Sequence, residues 1–121
     1  MHTHYPHAID ELSAQQLAKL MKEEKVLLID VREPDEFAAQ RIPGALLYPL
    51  STFDATTLPP DHPRRVVFHC GSGKRSAKAA AARLAAGATH AAHLAGGIGA
   101  WTAAGLHVIE ISPVTGKPVS K

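Results

Sequence analysis

The sequence predicts an α/β fold: a mainly parallel five-stranded sheet flanked by helices on both faces. Two observations carry this prediction. Short apolar runs at residues 26–31, 46–50, 65–70, 89–94 and 106–111 are bounded by polar or Gly/Pro-containing segments, the pattern of strands in a buried sheet. Between them lie stretches of helical composition, and strands alternating with helices give a parallel sheet with crossover connections.

Taken in order, residues 1–8 read as a flexible tail, and this reading is favoured over adventitious metal binding by His2, His4 and His7. Ser13-Ala14-Gln15-Gln16 is a capping-box pattern, and Leu17, Leu20 and Met21 continue it with helical spacing to about residue 22. After the first apolar run, Pro34 suits the first turn of a short helix with Asp35 and Glu36 at its positive end, while Phe37 and Ile42 face the core. Ile42-Pro43-Gly44-Ala45 is a turn, Pro49 ends the next strand, and Ser51 caps a brief helical turn. The 65–70 run is the central strand. Residues 74–86 are an alanine-rich helix with Gly87 as its C′ residue. Gly96-Gly97 is a turn, residues 98–104 are a short helix closed by Gly105, and 112–121 form a frayed tail. One domain therefore spans residues 9–111.

Composition narrows the function. At 121 residues, 45% apolar and 20% charged, the chain has room for a real core and reads as an ordinary globular domain. No stretch offers the ~18 apolar residues of a membrane span. The first residues have neither the basic nor the apolar region of a secretory signal, and a lone cysteine makes no internal disulfide, so a reduced, cytoplasmic setting is expected. A net charge of +2 is too small to imply nucleic acid, but its distribution is uneven. Residues 62–109 contain no Asp or Glu, and they hold Arg64, Arg65, Lys74, Arg75, Lys78, Arg83 and the only cysteine. That setting favours anionic ligands and a thiolate.

The chemistry is expected at Cys70-Gly71-Ser72-Gly73-Lys74-Arg75-Ser76. A nucleophile at the carboxyl end of a strand, followed by a loop and a helix start, sits where open α/β sheets place their sites. Gly71 and Gly73 allow successive N–H groups to turn toward one centre, and the helix adds unpaired N–H groups and its positive end. Lys74 and Arg75 add full charges, and Ser76 donates to the same cradle or caps the helix. Together these stabilise a thiolate relative to a free thiol's pKa of about 8.5. The loop lacks the GxxxxGK[ST] pattern of a nucleotide phosphate loop and the third glycine of a dinucleotide fingerprint. His69 adjoins the cysteine, but strand alternation turns it to the other face, against a general-base role. His90 and His93, three apart on a strand, point to opposite faces and read as structural or surface residues. Trp101 reads as core or pocket lip.

This loop resembles the active-site loop of the rhodanese (sulfurtransferase) family, of the form Cys-x-x-x-x-Arg-Ser. Residues 28–37, Leu-Ile-Asp-Val-Arg-Glu-Pro-Asp-Glu-Phe, with Arg41-Ile42-Pro43-Gly44-Ala45, resemble the family's N-terminal signature. Residues 94–101, Leu-Ala-Gly-Gly-Ile-Gly-Ala-Trp, with Ala104-Gly105, resemble its C-terminal one. Gln40-Arg41 stands where the family usually has Gly-His, in a turn that is mostly structural.

The resemblance implies a single-domain sulfurtransferase. Cys70 would take the outer sulfur of thiosulfate or a similar persulfide donor as a persulfide, then pass it to cyanide or a thiol. Gly71, Ser72, Gly73, Lys74, Arg75 and Ser76 would bind the substrate: the amides cradle the sulfur, and Arg75, assisted by Lys74, orients the loop and holds the anionic donor. Asp30 and Arg32 would make buried structural contacts under the loop. No metal or organic cofactor is implied. The partners expected are a small anionic sulfur donor, a thiol or cyanide acceptor and a sulfur-accepting protein, with no nucleic acid or membrane and a monomer as the default. Related phosphatases and arsenate reductases carry one more residue between Cys and Arg, and their larger loop suits a tetrahedral oxyanion. Here four residues separate Cys70 from Arg75. Mercaptopyruvate sulfurtransferases share the Cys-Gly-Ser-Gly start without the basic pair. The alternatives to an enzyme are a persulfide carrier or redox-sensing module acting on a protein partner, and a silent interaction domain, against which the intact Cys70 argues.

Overall fold

The computed structural model describes residues 9–121; the N-terminal tail with His2, His4 and His7 lies outside the described residues. The strands are β1 (Ile9–Leu12), β2 (Val26–Asp30), β3 (Gln40–Arg41), β4 (Leu46–Leu47), β5 (Arg65–His69), β6 (Ala91–Leu94), β7 (Ile109–Ile111) and β8 (Pro118–Ser120). The helices are α1 (Ala14–Lys22), α2 (Pro34–Ala39), α3 (Lys74–Ala85) and α4 (Gly97–Ala103), with a 3₁₀ turn at Ala55–Thr57. The main sheet has the order β1-β6-β5-β2-β4, every pair parallel.

The expected α/β architecture is therefore present, but two of its parts are redistributed. The fifth strand of the main sheet is Ile9–Leu12, which pairs in parallel with β6 at the sheet edge. The 106–111 segment leaves that sheet: its β7 portion pairs antiparallel with β3 and with β8. Residues 112–121, expected as a frayed tail, turn back through Ser112 and Gly116, whose amides bond Lys117 and Ser112 carbonyls, to form a hairpin. The fourth strand is only Leu46–Leu47, shortened ahead of Pro49. Ser51 caps no helix; its hydroxyl donates to Glu33, and Asp54 caps the 3₁₀ turn by accepting from Thr56.

Local signals placed the helices well. Ser13 Oγ accepts from Gln16 N–H, and the Gln16 side chain accepts from Ser13 N–H, closing the capping box of α1. Pro34 occupies the first turn of α2. Gly87 ends α3 in the left-handed region at φ +112°, donating to the Leu84 carbonyl.

Strand alternation divides the core between the two faces of the sheet. On one face Leu17 of α1 and Ile98 and Trp101 of α4 cover Leu28, Val67, Ala92 and Leu94. On the other, Ala79 and Ala80 of α3 lie against Ile29, Val66, Phe68 and Ala91. Alanines on α3 bring its axis close to the sheet, and this sets the height at which its first turn meets the end of β5. Ile42 is fully buried, whereas Phe37 is half-exposed with the Arg41 guanidinium 5.3 Å over its ring. Trp101 is a core residue whose indole N–H donates to the His107 carbonyl.

Candidate active site

Cys70 follows the last residue of β5, at the carboxyl edge of the sheet and beside the N-terminus of α3. Its residue is 1% exposed, and its sulfur is surrounded by donors. Gly73 N–H donates to Sγ at 3.1 Å and Ser76 N–H at 3.3 Å, while Ser76 Oγ lies 3.6 Å away. Burial raises the thiol's pKa, but the Ser76 hydroxyl and the Ser76, Gly73 and Ser72 amides lower it further, and the balance holds it below the ordinary thiol value.

Two carbonyls of the loop are held from outside it. Ile98 N–H at the start of α4 donates to the Cys70 carbonyl, and Gly99 N–H donates to the Gly71 carbonyl. In a trans peptide the C=O and the following N–H point opposite ways, so anchoring the Gly71 oxygen on α4 turns the Ser72 N–H away from α4 and toward the sulfur. The arrangement requires glycine at 97: φ there is +61°, and a Cβ would collide with the Cys70 and Gly71 carbonyl oxygens. Gly73, at φ +108°, makes the left-handed step into α3 that brings its own amide onto the sulfur.

The loop residues singled out from sequence follow the cysteine directly, and Arg75 makes the contact that orients the loop. Arg75 is bound bidentately to Glu36 of α2, Nη1 to Oε1 at 2.7 Å and Nη2 to Oε2 at 3.0 Å. The hydrogen bond from Arg75 lowers the Glu36 pKa from 4.5 to about 2. Arg75 thus ties the loop to α2, its guanidinium lying close to Gly71. Lys74 and Ser72 stand exposed at the rim. The Ser76 hydroxyl and the amides lower the thiol's pKa, while Arg75 is paired with a carboxylate and Lys74 is exposed.

Beneath the loop, Asp30 is fully buried and accepts from the Arg32 backbone N–H and guanidinium, which also donates to the Gln40 carbonyl. This is the buried structural pair expected at those positions. His69 lies on the far side of β5 from the sulfur, as alternation required. Its Nδ1 is 3.3 Å from the Cys70 carbonyl and its Nε2 3.3 Å from Asp30 Oδ2, but off the hydrogen-bond direction. Burial lowers its pKa more than Asp30 raises it.

His93 is the residue the sequence reading missed. It is 4% exposed, on the α3 face of β6, with Nδ1 2.9 Å from Ser76 Oγ and Nε2 3.5 Å from Glu11 Oε2 on the neighbouring β1. A chain of polar contacts thus runs from Cys70 through Ser76 and His93 to Glu11. The signal was present: His93 shares the strand parity of Ala91, which faces α3. His90 is exposed and takes no part.

The rhodanese-like domain family model matches residues 13–104. The chain belongs to the rhodanese-like family. This rhodanese-like domain is 36% identical over 104 residues to a sulfurtransferase of Allochromatium vinosum, covering 84% of this chain and 95% of that protein. An uncharacterised Synechocystis protein is 35% identical over 99 residues, covering 82% of this chain, which spans only 55% of that relative's length. Among solved structures, a human single-domain sulfurtransferase superposes with a TM-score of 0.68 at 30% identity, over 77% of this chain and 95% of that one.

Proposed function

We propose that this rhodanese-like domain moves a sulfane sulfur from thiosulfate, or a similar persulfide donor, to cyanide or a thiol through a persulfide on Cys70. The observation that supports this reading is the ring of donors on Sγ from Gly73 and Ser76. The Cys70 thiolate attacks the outer sulfur of thiosulfate; the new S–S bond forms as the old one breaks, and sulfite leaves with the bonding pair. The terminal sulfur of the persulfide then carries the negative charge, and the loop's amides stabilise it as they stabilise the thiolate. Attack by cyanide on that terminal sulfur releases thiocyanate and returns the thiolate. A thiol acceptor gives a new persulfide instead. Every step is a two-electron displacement at sulfur, and the chain's own groups suffice for it.

Because Glu36 neutralises Arg75, an anionic donor meets Lys74 and the amides rather than two free cations. This favours a second reading, a persulfide carrier fed by a thiol persulfide and discharging to a protein, in a cytoplasmic and monomeric setting. Among the described residues no helix is long and apolar enough to cross a membrane.

Steady-state thiocyanate formation from thiosulfate and cyanide tests the main reading. Turnover by the wild type and its loss in Cys70→Ser support it; equal rates in the two proteins overturn it. A glutathione persulfide donor that outruns thiosulfate by an order of magnitude selects the carrier reading.

A further inference from the structure

At the opposite edge of the sheet from Cys70, a pocket of about 160 Å³ opens between the N-terminal ends of β5 and β6 and the last turn of α3. Its walls carry Arg64, Arg65, Arg83, His62 and His90, and no acidic side chain is among its lining residues. Asp10 pairs with Arg65 from the side, leaving Arg64 and Arg83 without a carboxylate partner among the described residues. The residue that shapes the site is Arg83. It is 5% exposed, and its Nη2 donates to the Pro59 carbonyl at 3.1 Å. Its Nη1 is buried and has no hydrogen-bond partner among the described residues. Burial pulls the Arg83 pKa down. A desolvated guanidinium with one carbonyl contact and no carboxylate is a charge that an anion in the adjoining pocket would offset.

His62 adds to the same arrangement. Its Nδ1 lies 3.0 Å from Arg64 N and 3.1 Å from the Arg64 carbonyl, contacts that hold the ring at the pocket wall. The pocket's volume is several times the ~30 Å³ share of one water molecule, enough for a tetrahedral oxyanion with some solvent. The planar fork of arginine donors matches the paired oxygens of such a group.

We propose that this pocket binds one phosphate- or sulfate-class oxyanion, free or as the terminal group of a phosphomonoester, with Arg83 as its buried anchor and Arg64 at its rim. The site is separate from the cysteine loop and does not rest on the sulfurtransferase reading; either can fail alone.

The test is residue-resolved. The ¹⁵N-labelled full chain is titrated with inorganic phosphate, with sulfate and with adenosine monophosphate, each against chloride at matched ionic strength. Saturable shifts centred on the amides of Arg65, Arg83, Thr89 and His90 are expected. Removing one charge-assisted contact in Arg83→Gln should weaken binding about tenfold or more. Arg64 is exposed, so Arg64→Ala retains the fold and, in the same titration, weakens binding about threefold, with thiocyanate formation unchanged. Inorganic phosphate binding more tightly than the nucleotide assigns the pocket to a free anion, and the reverse order assigns it to a phosphomonoester. Shifts confined to the Cys70 loop, shifts that never saturate, or unaltered affinity in Arg64→Ala or a folded Arg83→Gln overturn the proposal.

Discussion

Replacing Ser76 with alanine separates the hydroxyl's contribution from that of the backbone cradle. The substitution keeps the Ser76 amide on Sγ and removes the hydroxyl at 3.6 Å, together with its 3.2 Å bond to the Gly73 carbonyl. A hydrogen bond to a charged acceptor contributes roughly 1.5–3 kcal/mol, and this one is long, which places it at or below the lower end. At about 1.4 kcal/mol per pKa unit, the thiol should titrate about one unit higher. On the acid limb, where thiolate is the minor species, alkylation then slows about tenfold. The assay is the pH dependence of iodoacetamide alkylation, which reports one site because the chain contains 1 cysteine. The variant also strips His93 Nδ1 of its 2.9 Å partner, so a loss of about 1–3 kcal/mol in urea unfolding should accompany it. His93→Phe, which leaves the hydroxyl in place, should move the thiol midpoint less than Ser76→Ala does. A midpoint that is unmoved or lowered in Ser76→Ala would refute the assignment of the hydroxyl as a thiolate donor.

Further outcomes follow from other contacts. Gly97→Ala forces a Cβ into the Cys70 and Gly71 carbonyls at positive φ; it should cost more than about 2 kcal/mol in urea unfolding and slow alkylation of any folded fraction. Asp30→Asn leaves the buried Arg32 guanidinium without its counter-charge, a loss of about 3–5 kcal/mol readable as a lower denaturation midpoint. The folded-state pKa of Glu36 lies below its unfolded value, so its contribution is complete above pH 4.5 and fades as the pH falls toward about 2. Because the Arg75–Glu36 pair is about one-third exposed, solvent screening keeps that contribution small. Glu36→Gln should therefore flatten the acid limb of a stability–pH curve while leaving the plateau near neutrality only slightly lower.

The parts of the molecule that were legible in sequence are those encoded locally. A capping box, a C′ glycine and a strand–loop–helix with glycines at the turn each span a few residues, and the architecture and the loop around Cys70 followed from them. The parts that were not legible are pairings across the chain. Ile9–Leu12 holds two acids in four residues and has no apolar run; its strand character comes from the neighbouring β6 rather than from its own composition. The 109–120 hairpin likewise depends on β3, far away in sequence. Within the site, Ser76 finds His93 17 positions on, and Arg75 finds Glu36 39 positions back. The second pairing had an indirect trace: with no acid between residues 62 and 109, any carboxylate partner for Arg75 had to come from elsewhere in the chain. The same acid-free span also supplies Arg64, Arg65 and Arg83 to the second pocket.

Mass spectrometry of the intact chain after brief exposure to thiosulfate bears most directly on the reading of Cys70 as a sulfur carrier. A gain of about 32 Da, mapped to the Cys70 peptide, discharged by cyanide and absent from Cys70→Ser, is the result expected for a persulfide held by the loop. An unchanged mass in the wild type, or the same gain in Cys70→Ser, would contradict it.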